Sequence, residues 1–331
     1  MRSLIGGFTT EIKTEKGIAE MKKLNINGTE QWVVMRGQDR TSPILFHLHG
    51  GPGGSQTGNF RKYLSDLEKD FVVINWDQRG AGKSYHPNIP QETMNMNQLV
   101  EDAKEVISYA LHRFQQKQVF LTGQSFGSVL GMLLLHRYPE FVQAYIGINQ
   151  VVYRAEEELA CYETTLQIAK ERGDKKAIED LTTMGRPING SYQNTKDLVR
   201  QRGLITKYKG VSYKKSTHLI QFASIFCSEL TFKEKINFMK GFTFSIDTLW
   251  EEWSSMNLRE KIIEVHVPIY FIAGKHDRLV PLESTSQYFE ILKAPKKELV
   301  IFEESGHLAC FEEPGKFCEL LKTIKETSVA F

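Results

Sequence analysis

One stretch constrains this chain more than any other: Val119-Phe120-Leu121-Thr122-Gly123-Gln124-Ser125-Phe126-Gly127. A short apolar run that reads as a strand enters a G-x-S-x-G turn and leaves it into a helical stretch, Ser128 to Tyr138. So sharp a strand-to-helix turn crowds the backbone. Glycine at both ends removes side chains that would collide, and the central serine is pushed outward, where the positive end of the following helix also points. A strand that feeds a helix in this way belongs to an α/β architecture.

The rest of the chain carries the same alternation. Apolar runs at Ile44 to Leu48, Phe71 to Trp76, Val119 to Thr122 and Ala144 to Ile148 are separated by helical stretches, and further runs lie at Pro268 to Ala273 and Glu298 to Phe302. Such runs fit strands covered on both faces, so the expectation is a mostly parallel sheet flanked by helices. Met96 to Phe114 sets Leu99, Ala103, Val106, Ile107, Ala110 and Leu111 at helical spacing, and Pro314 to Thr327 reads as a closing helix with proline in its first turn. Before Pro43, Met21 to Ile26 and Gln31 to Met35 flank the hairpin dipeptide Asn27-Gly28. From residue 150 to 258 strand signals stop, and charged helical stretches such as Ala155 to Arg172 and Lys175 to Met184 take over. The expected organisation is a core of 1–149 and 259–331 with 150–258 inserted as a helical lid.

Composition narrows the partners. Lysine and arginine number 42 against 40 acidic residues, a net of +2, which offers no large field for nucleic acid or an anionic membrane. A small-molecule substrate is the expectation, and the sequence carries no sign of oligomeric state. The first residues lack the apolar stretch of a signal peptide and no window is long and apolar enough to span a bilayer, so the chain reads as cytoplasmic. Cys161, Cys227, Cys310 and Cys318 are widely spaced and read as buried free thiols.

A serine on such a turn becomes a nucleophile when a base and a carboxylate that orients the base reach it, in the chain order Ser, Asp, His. Asp277 follows the run Pro268 to Ala273, and His307 follows Glu298 to Phe302. Ligands of open parallel sheets gather outside the carboxyl ends of the strands, so Ser125, Asp277 and His307 should emerge on one rim. His276, beside Asp277, should point elsewhere. His49-Gly50-Gly51-Pro52-Gly53-Gly54 follows the first of the apolar runs, and its clustered glycines let backbone N–H groups approach a ligand. Position 56 is glutamine, which breaks a G-x-G-x-x-G register, and Asp77 stands where a P-loop ending in Gly82-Lys83-Ser84 needs its first glycine. Nucleotide binding is therefore not expected, and Asp77-Gln78-Arg79-Gly80 reads as a rigid loop with Arg79 paired internally. His47 and His49 alternate on one strand, but no third ligand with metal-site spacing accompanies them. Neither a metal nor another cofactor is required.

The set of H-G-G-P-G-G at 49–54, D-Q-R-G-A-G-K-S at 77–84, Gly123-Gln-Ser-Phe-Gly and Gly306-His307 resembles the proline iminopeptidase branch of the α/β-hydrolases. The resemblance covers roughly residues 20–150 and 260–325. It implies the α/β-hydrolase fold, the triad Ser125, Asp277 and His307, and an oxyanion hole from the N–H groups of Gly51 and Phe126. Members of the branch that cleave N-terminal proline hold the substrate amine with lid acids, and Glu156 and Glu163 share a helix face in this lid. Gly123-Gln124-Ser125-Phe126 differs from the G-G-S-W of those peptidases, and relatives in the branch hydrolyse esters or lactones. Between Leu219 and Trp250 the lid is rich in rings, including Phe222, Phe226 and Trp250, which suits an apolar pocket. The leading expectation is a serine hydrolase of a hydrophobic carboxylic ester or macrolide-type lactone. Its alternatives are an N-terminal proline aminopeptidase and, from another class, a catalytically silent ligand-binding protein.

Overall fold

The computed structural model describes residues 6–328. Asn27 and Gly28 both take positive φ, 46° and 80°, which turns β1 (Ile18–Ile26) back onto β2 (Thr29–Gly37) in antiparallel register. β2 then pairs antiparallel with β4 (Val72–Asp77). From there the sheet is parallel through β3 (Ile44–Leu48), β5 (Val119–Gln124), β6 (Val142–Ile148), β7 (Ile269–Gly274) and β8 (Lys297–Phe302). The eight strands lie in the order β1-β2-β4-β3-β5-β6-β7-β8. The chain moves outward in one direction from β3 to β4 and in the other from β5 onward. The crevice outside the carboxyl ends of β3 and β5 is therefore the place where a ligand fits.

The strand runs are apolar because both faces are covered. Ile44, Phe46 and Leu48 of β3 pack into one cluster while Leu45 packs into the other, and Val119 and Leu121 of β5 oppose Phe120 in the same way. The first cluster is closed by α2 (Met96–Phe114), α3 (Phe126–Arg137) and α10 (Leu282–Ile291), the second by α1 (Thr57–Tyr63), α11 (Ala309–Glu312) and α12 (Pro314–Ser328). Cys161 and Cys310 are buried, whereas Cys227 and Cys318 are only partly covered, so burial of all four thiols is corrected.

Between β6 and β7 run α4 (Arg154–Glu171), α5 (Lys175–Met184), α6 (Thr195–Lys207), α7 (Thr217–Ile225) and α8 (Phe232–Ser254), followed by the short α9 (Leu258–Lys261). The side chains of Asn194, Ser216 and Thr231 accept the first N–H groups of α6, α7 and α8, and Glu234 returns a bond to Thr231 to complete a capping box. The inserted helices form a separate apolar cluster around Tyr162, Leu181, Met184 and Tyr208. Among the described residues no helix is long and apolar enough to cross a membrane.

Candidate active site

The elbow after β5 is as tight as its glycines imply. Ser125 takes φ 53° and ψ −119°, a strained conformation for a residue with a side chain, and its N–H is anchored on the Ile148 carbonyl at 3.0 Å. A Cβ on Gly127 would lie 2.1 Å from the Leu48 carbonyl oxygen, so only glycine lets α3 start this close to β3. That strain holds the Ser125 hydroxyl out over the rim.

The loops after β7 and β8 bring the other two residues to it. His307 Nε2 lies 2.9 Å from Ser125 Oγ, and His307 Nδ1 lies 2.7 Å from Asp277 Oδ2. Asp277 is surrounded by donors: Leu279 and Val280 N–H reach Oδ1 at 2.8 and 3.0 Å, and Asn149 Nδ2 reaches Oδ2 at 2.8 Å. A carboxylate held this way accepts from Nδ1–H, which leaves Nε2 as the acceptor of the serine proton. The ring is fixed from behind, because the His307 carbonyl accepts from Gln124 Nε2 at 3.0 Å and its N–H donates to Val211 at 2.8 Å. His276 stands outside this relay, stacked on Tyr213 with ring centres 3.6 Å apart.

The loop after β3 faces the same point. Gly51 takes φ 124°, and a Cβ there would lie 2.6 Å from the Gly54 nitrogen, so the turn tolerates no side chain. Gly51 and Phe126 make no backbone N–H bond to other loops or turns, and Phe126 opens α3, where N–H groups have no partner within the helix. Both are thus the donors that an oxyanion hole here would use. Behind them, Gln78 N–H meets His49 Nε2 at 3.2 Å and Gln78 Nε2 donates to the His49 carbonyl at 3.0 Å. His47 is spent on Thr122 and Gln56 at 2.8 and 2.7 Å, so the two histidines share no ligand. Burial pulls their pKa values down to about 3 for His47 and about 4 for His49. Arg79, read from sequence as internally paired, donates to both Asp102 oxygens at 2.7 and 2.9 Å within the core. Asp77 accepts from Ser55 and from the Lys83 N–H at 2.5 and 2.7 Å. The D-Q-R-G-A-G-K-S segment is thus a brace under the glycine loop.

Ser125 and His307 open into a cavity of about 510 Å³ whose lid side includes Leu198, Val199, Phe222, Met239 and Trp250. Phe222 and Trp250 therefore stand where the ring-rich stretch suggested. Phe226 does not line the cavity; it is exposed beside Phe222, with ring centres 5.7 Å apart. Glu156 and Glu163 are also corrected: they lie on the outer side of α4, paired with Arg259 and Arg186 at 2.8 and 2.7 Å, and neither reaches the cavity. The acids turned inward are their neighbours. Glu158 is shared by Arg154 and Arg202, both on the cavity wall, and Glu157 is buried with one oxygen unpartnered. Burial raises the Glu157 pKa and pulls that of Arg154 down to about 10.

Sequence reasoning missed Asn149, Gln124 and the arginine wall. Asn149 was open to discovery as a polar residue directly after an apolar strand, on the rim where the site forms. Arg154 and Arg202 had no such marker, because a charged residue on a lid helix usually faces solvent.

This chain is similar to known proteins along almost its whole length. A serine aminopeptidase S33 family profile matches residues 40–314. The probable aminopeptidase YbaC of Bacillus subtilis is 34% identical over 94% of this chain and 97% of that protein. A proline iminopeptidase of Saccharolobus solfataricus is 26% identical over 84% of this chain and 83% of its own. Among solved structures, proline iminopeptidase from Mycobacterium smegmatis superposes with a TM-score of 0.64 at 18% identity, covering 93% of this chain and 98% of that one, a likeness of fold. With an eight-stranded sheet, a helical insertion and a serine elbow at the sheet's rim, this chain is a serine hydrolase of the α/β-hydrolase fold and belongs to the serine aminopeptidase S33 family.

Proposed function

We propose that this protein is an aminopeptidase of the proline iminopeptidase type, releasing the N-terminal residue of a peptide or amide through an acyl-enzyme. The observation that carries the reading is the 34% identity, over 94% of the chain, with a probable aminopeptidase, reinforced by proline iminopeptidases among the other relatives. In this reading the Ser125 proton passes to His307 Nε2 as Oγ attacks the carbonyl carbon, and Asp277 stabilises the imidazolium. The Gly51 and Phe126 N–H groups hold the developing oxyanion. His307 then returns the proton to the departing amine, and water, activated by the same imidazole, releases the acyl group.

Hydrolysis of a hydrophobic ester or lactone is the second reading, and one feature favours it. Among the described residues lining the cavity there is no Asp or Glu, and the ionised side chains on its wall are Arg154 and Arg202. A substrate ammonium would have to recruit Glu157 or Glu158 from behind them. Proline p-nitroanilide, its N-acetylated form and p-nitrophenyl butyrate separate the two. The aminopeptidase reading requires kcat/KM on free proline p-nitroanilide to exceed that on the acetylated form by tenfold or more. If acetylation has no effect and the ester is turned over faster, the ester reading replaces it.

A further inference from the structure

We propose that the outer face of α7 and the first turns of α8 is a docking surface for an anionic lipid bilayer, placed at the mouth of the active-site cavity. The exposures come first. Phe222 is 52% exposed, Leu219 59%, Phe226 68%, Phe232 78%, Ile236 51% and Met239 53%. These side chains all fall between positions 219 and 239, with the Phe222 and Phe226 ring centres 5.7 Å apart, whereas a soluble surface normally scatters its apolar residues singly.

The pattern on α8 is that of a helix that lies in an interface. Phe232, Ile236, Met239 and Thr243 recur at helical spacing on one stripe, and all are exposed. Lys233 and Lys240 border the stripe on one side and Lys235 on the other, with the Lys235 ammonium 5.9 Å from the Phe226 ring centre on the neighbouring segment. Acids are turned away from it. Glu234 points inward to Lys83 at 2.6 Å, and Glu229 is buried against Arg61 at 3.1 Å. α7 contains no acid, and the first exposed one farther along α8, Asp247, accepts from the Thr195 hydroxyl at 3.1 Å. The net charge of +2 conceals this arrangement because acids elsewhere offset the lysines.

The charge selects the occupant. Two copies of this chain meeting face to face across a twofold axis would bring lysines near lysines, whereas an anionic headgroup layer is complementary to them and accepts the phenyl rings beneath. Continuity with the site gives the surface a use. Phe222 and Met239 line the cavity and belong to the exposed face, so a substrate dissolved in or delivered from the bilayer would enter between them.

Cosedimentation of the full chain with vesicles tests the proposal without reference to any enzymatic reading. Vesicles of phosphatidylcholine alone are compared with an equal mixture of phosphatidylcholine and phosphatidylglycerol, at low salt and at about 0.5 M salt. Binding is expected to the mixed vesicles at low salt and to fall at high salt. Phe226→Ser/Phe232→Ser/Ile236→Ser should weaken it at least tenfold. Because each lysine near such a surface contributes about fivefold, Lys233→Glu/Lys235→Glu/Lys240→Glu should weaken it at least about 100-fold. None of these six residues lines the cavity, so turnover of a soluble substrate reports that the variants are folded. Absence of binding to the mixed vesicles, or binding that either triple variant leaves intact, overturns the proposal. A dimer of the wild type that the serine variant dissociates, with no vesicle binding, assigns the face to a second copy and also overturns it.

Discussion

The sheet core and the lid solve the same problem of burying a helical layer in different ways. In the core, polar side chains under the site are locked by several partners each: Asp277 has four donors, and Arg79 and Asp102 are almost wholly enclosed and bonded to one another. In the lid, the outer ion pairs are largely solvated, and several large rings face outward. The core spends its interactions on holding a strained serine in place. The lid leaves apolar side chains exposed, on the face proposed above to meet a bilayer. Rigidity at the chemistry and incompleteness above it are complementary requirements of an enzyme that must admit its substrate.

The largest expected effect breaks the core side of this comparison. Ser125→Ala and His307→Ala should each lower turnover on the order of 10⁴-fold while melting close to the wild type, whereas His276→Ala should keep most activity. Steady-state kinetics on the better of the two substrate classes decides it, and a reversed ranking of the histidines would remove His307 as the base.

Next comes the enclosed Arg79–Asp102 ion pair, which Asn27 and Gln31 of the β1–β2 hairpin also reach. Asp102→Ala leaves the Arg79 guanidinium charged and buried without its carboxylate, an expected loss of about 3–5 kcal/mol in urea unfolding. A loss below about 1 kcal/mol would show that the core relaxes as readily as the lid.

Acid should act on the core through His47 and His49. Both are neutral in the fold, with pKa values lowered to about 3 and about 4, while the unfolded chain takes up protons on histidine near 6.5. Their stabilisation is therefore present in full above pH 6.5 and is lost as pH falls toward those values, amounting to about 3 kcal/mol for His47 at pH 4. Urea unfolding from pH 7 to pH 4 should show stability declining throughout. A flat profile would mean that these imidazoles accept protons where they sit.

The smallest effect belongs to the lid surface. Glu156→Ala removes a solvated pair with Arg259 and should change stability by less than about 0.5 kcal/mol and leave kcat/KM unaltered. A tenfold rise in KM on a free-amine substrate would return Glu156 to the binding site from which its position excludes it.

The sequence by itself determined the sheet, the elbow and the partners of Ser125, because those features obey local rules. A strand buried on both faces must be a continuous apolar run, a clash-free elbow needs glycine before and after the serine, and a residue that follows a parallel strand emerges on the shared rim. Even here one partner escaped: Asn149 bonds Asp277, which lies far along the chain, and no spacing rule joins a side chain after β6 to a carboxylate after β7. The lid followed a different logic. Glu156, Glu157 and Glu158 are consecutive and chemically alike, yet α4 turns the first to solvent and the next two to the interior. Rotation of a helix about its axis is set by what packs against it, and for α4 that is α5, α6 and α8, whose sequences give no register relative to it. Phe222 and Phe226, four apart, would share a face of a continuous helix, but α7 ends at Ile225, so Phe226 leaves that face while Phe222 reaches the cavity wall. Tertiary packing alone decided which acids, arginines and rings confront a substrate, since helical periodicity fixes which residues share a face but not where that face looks.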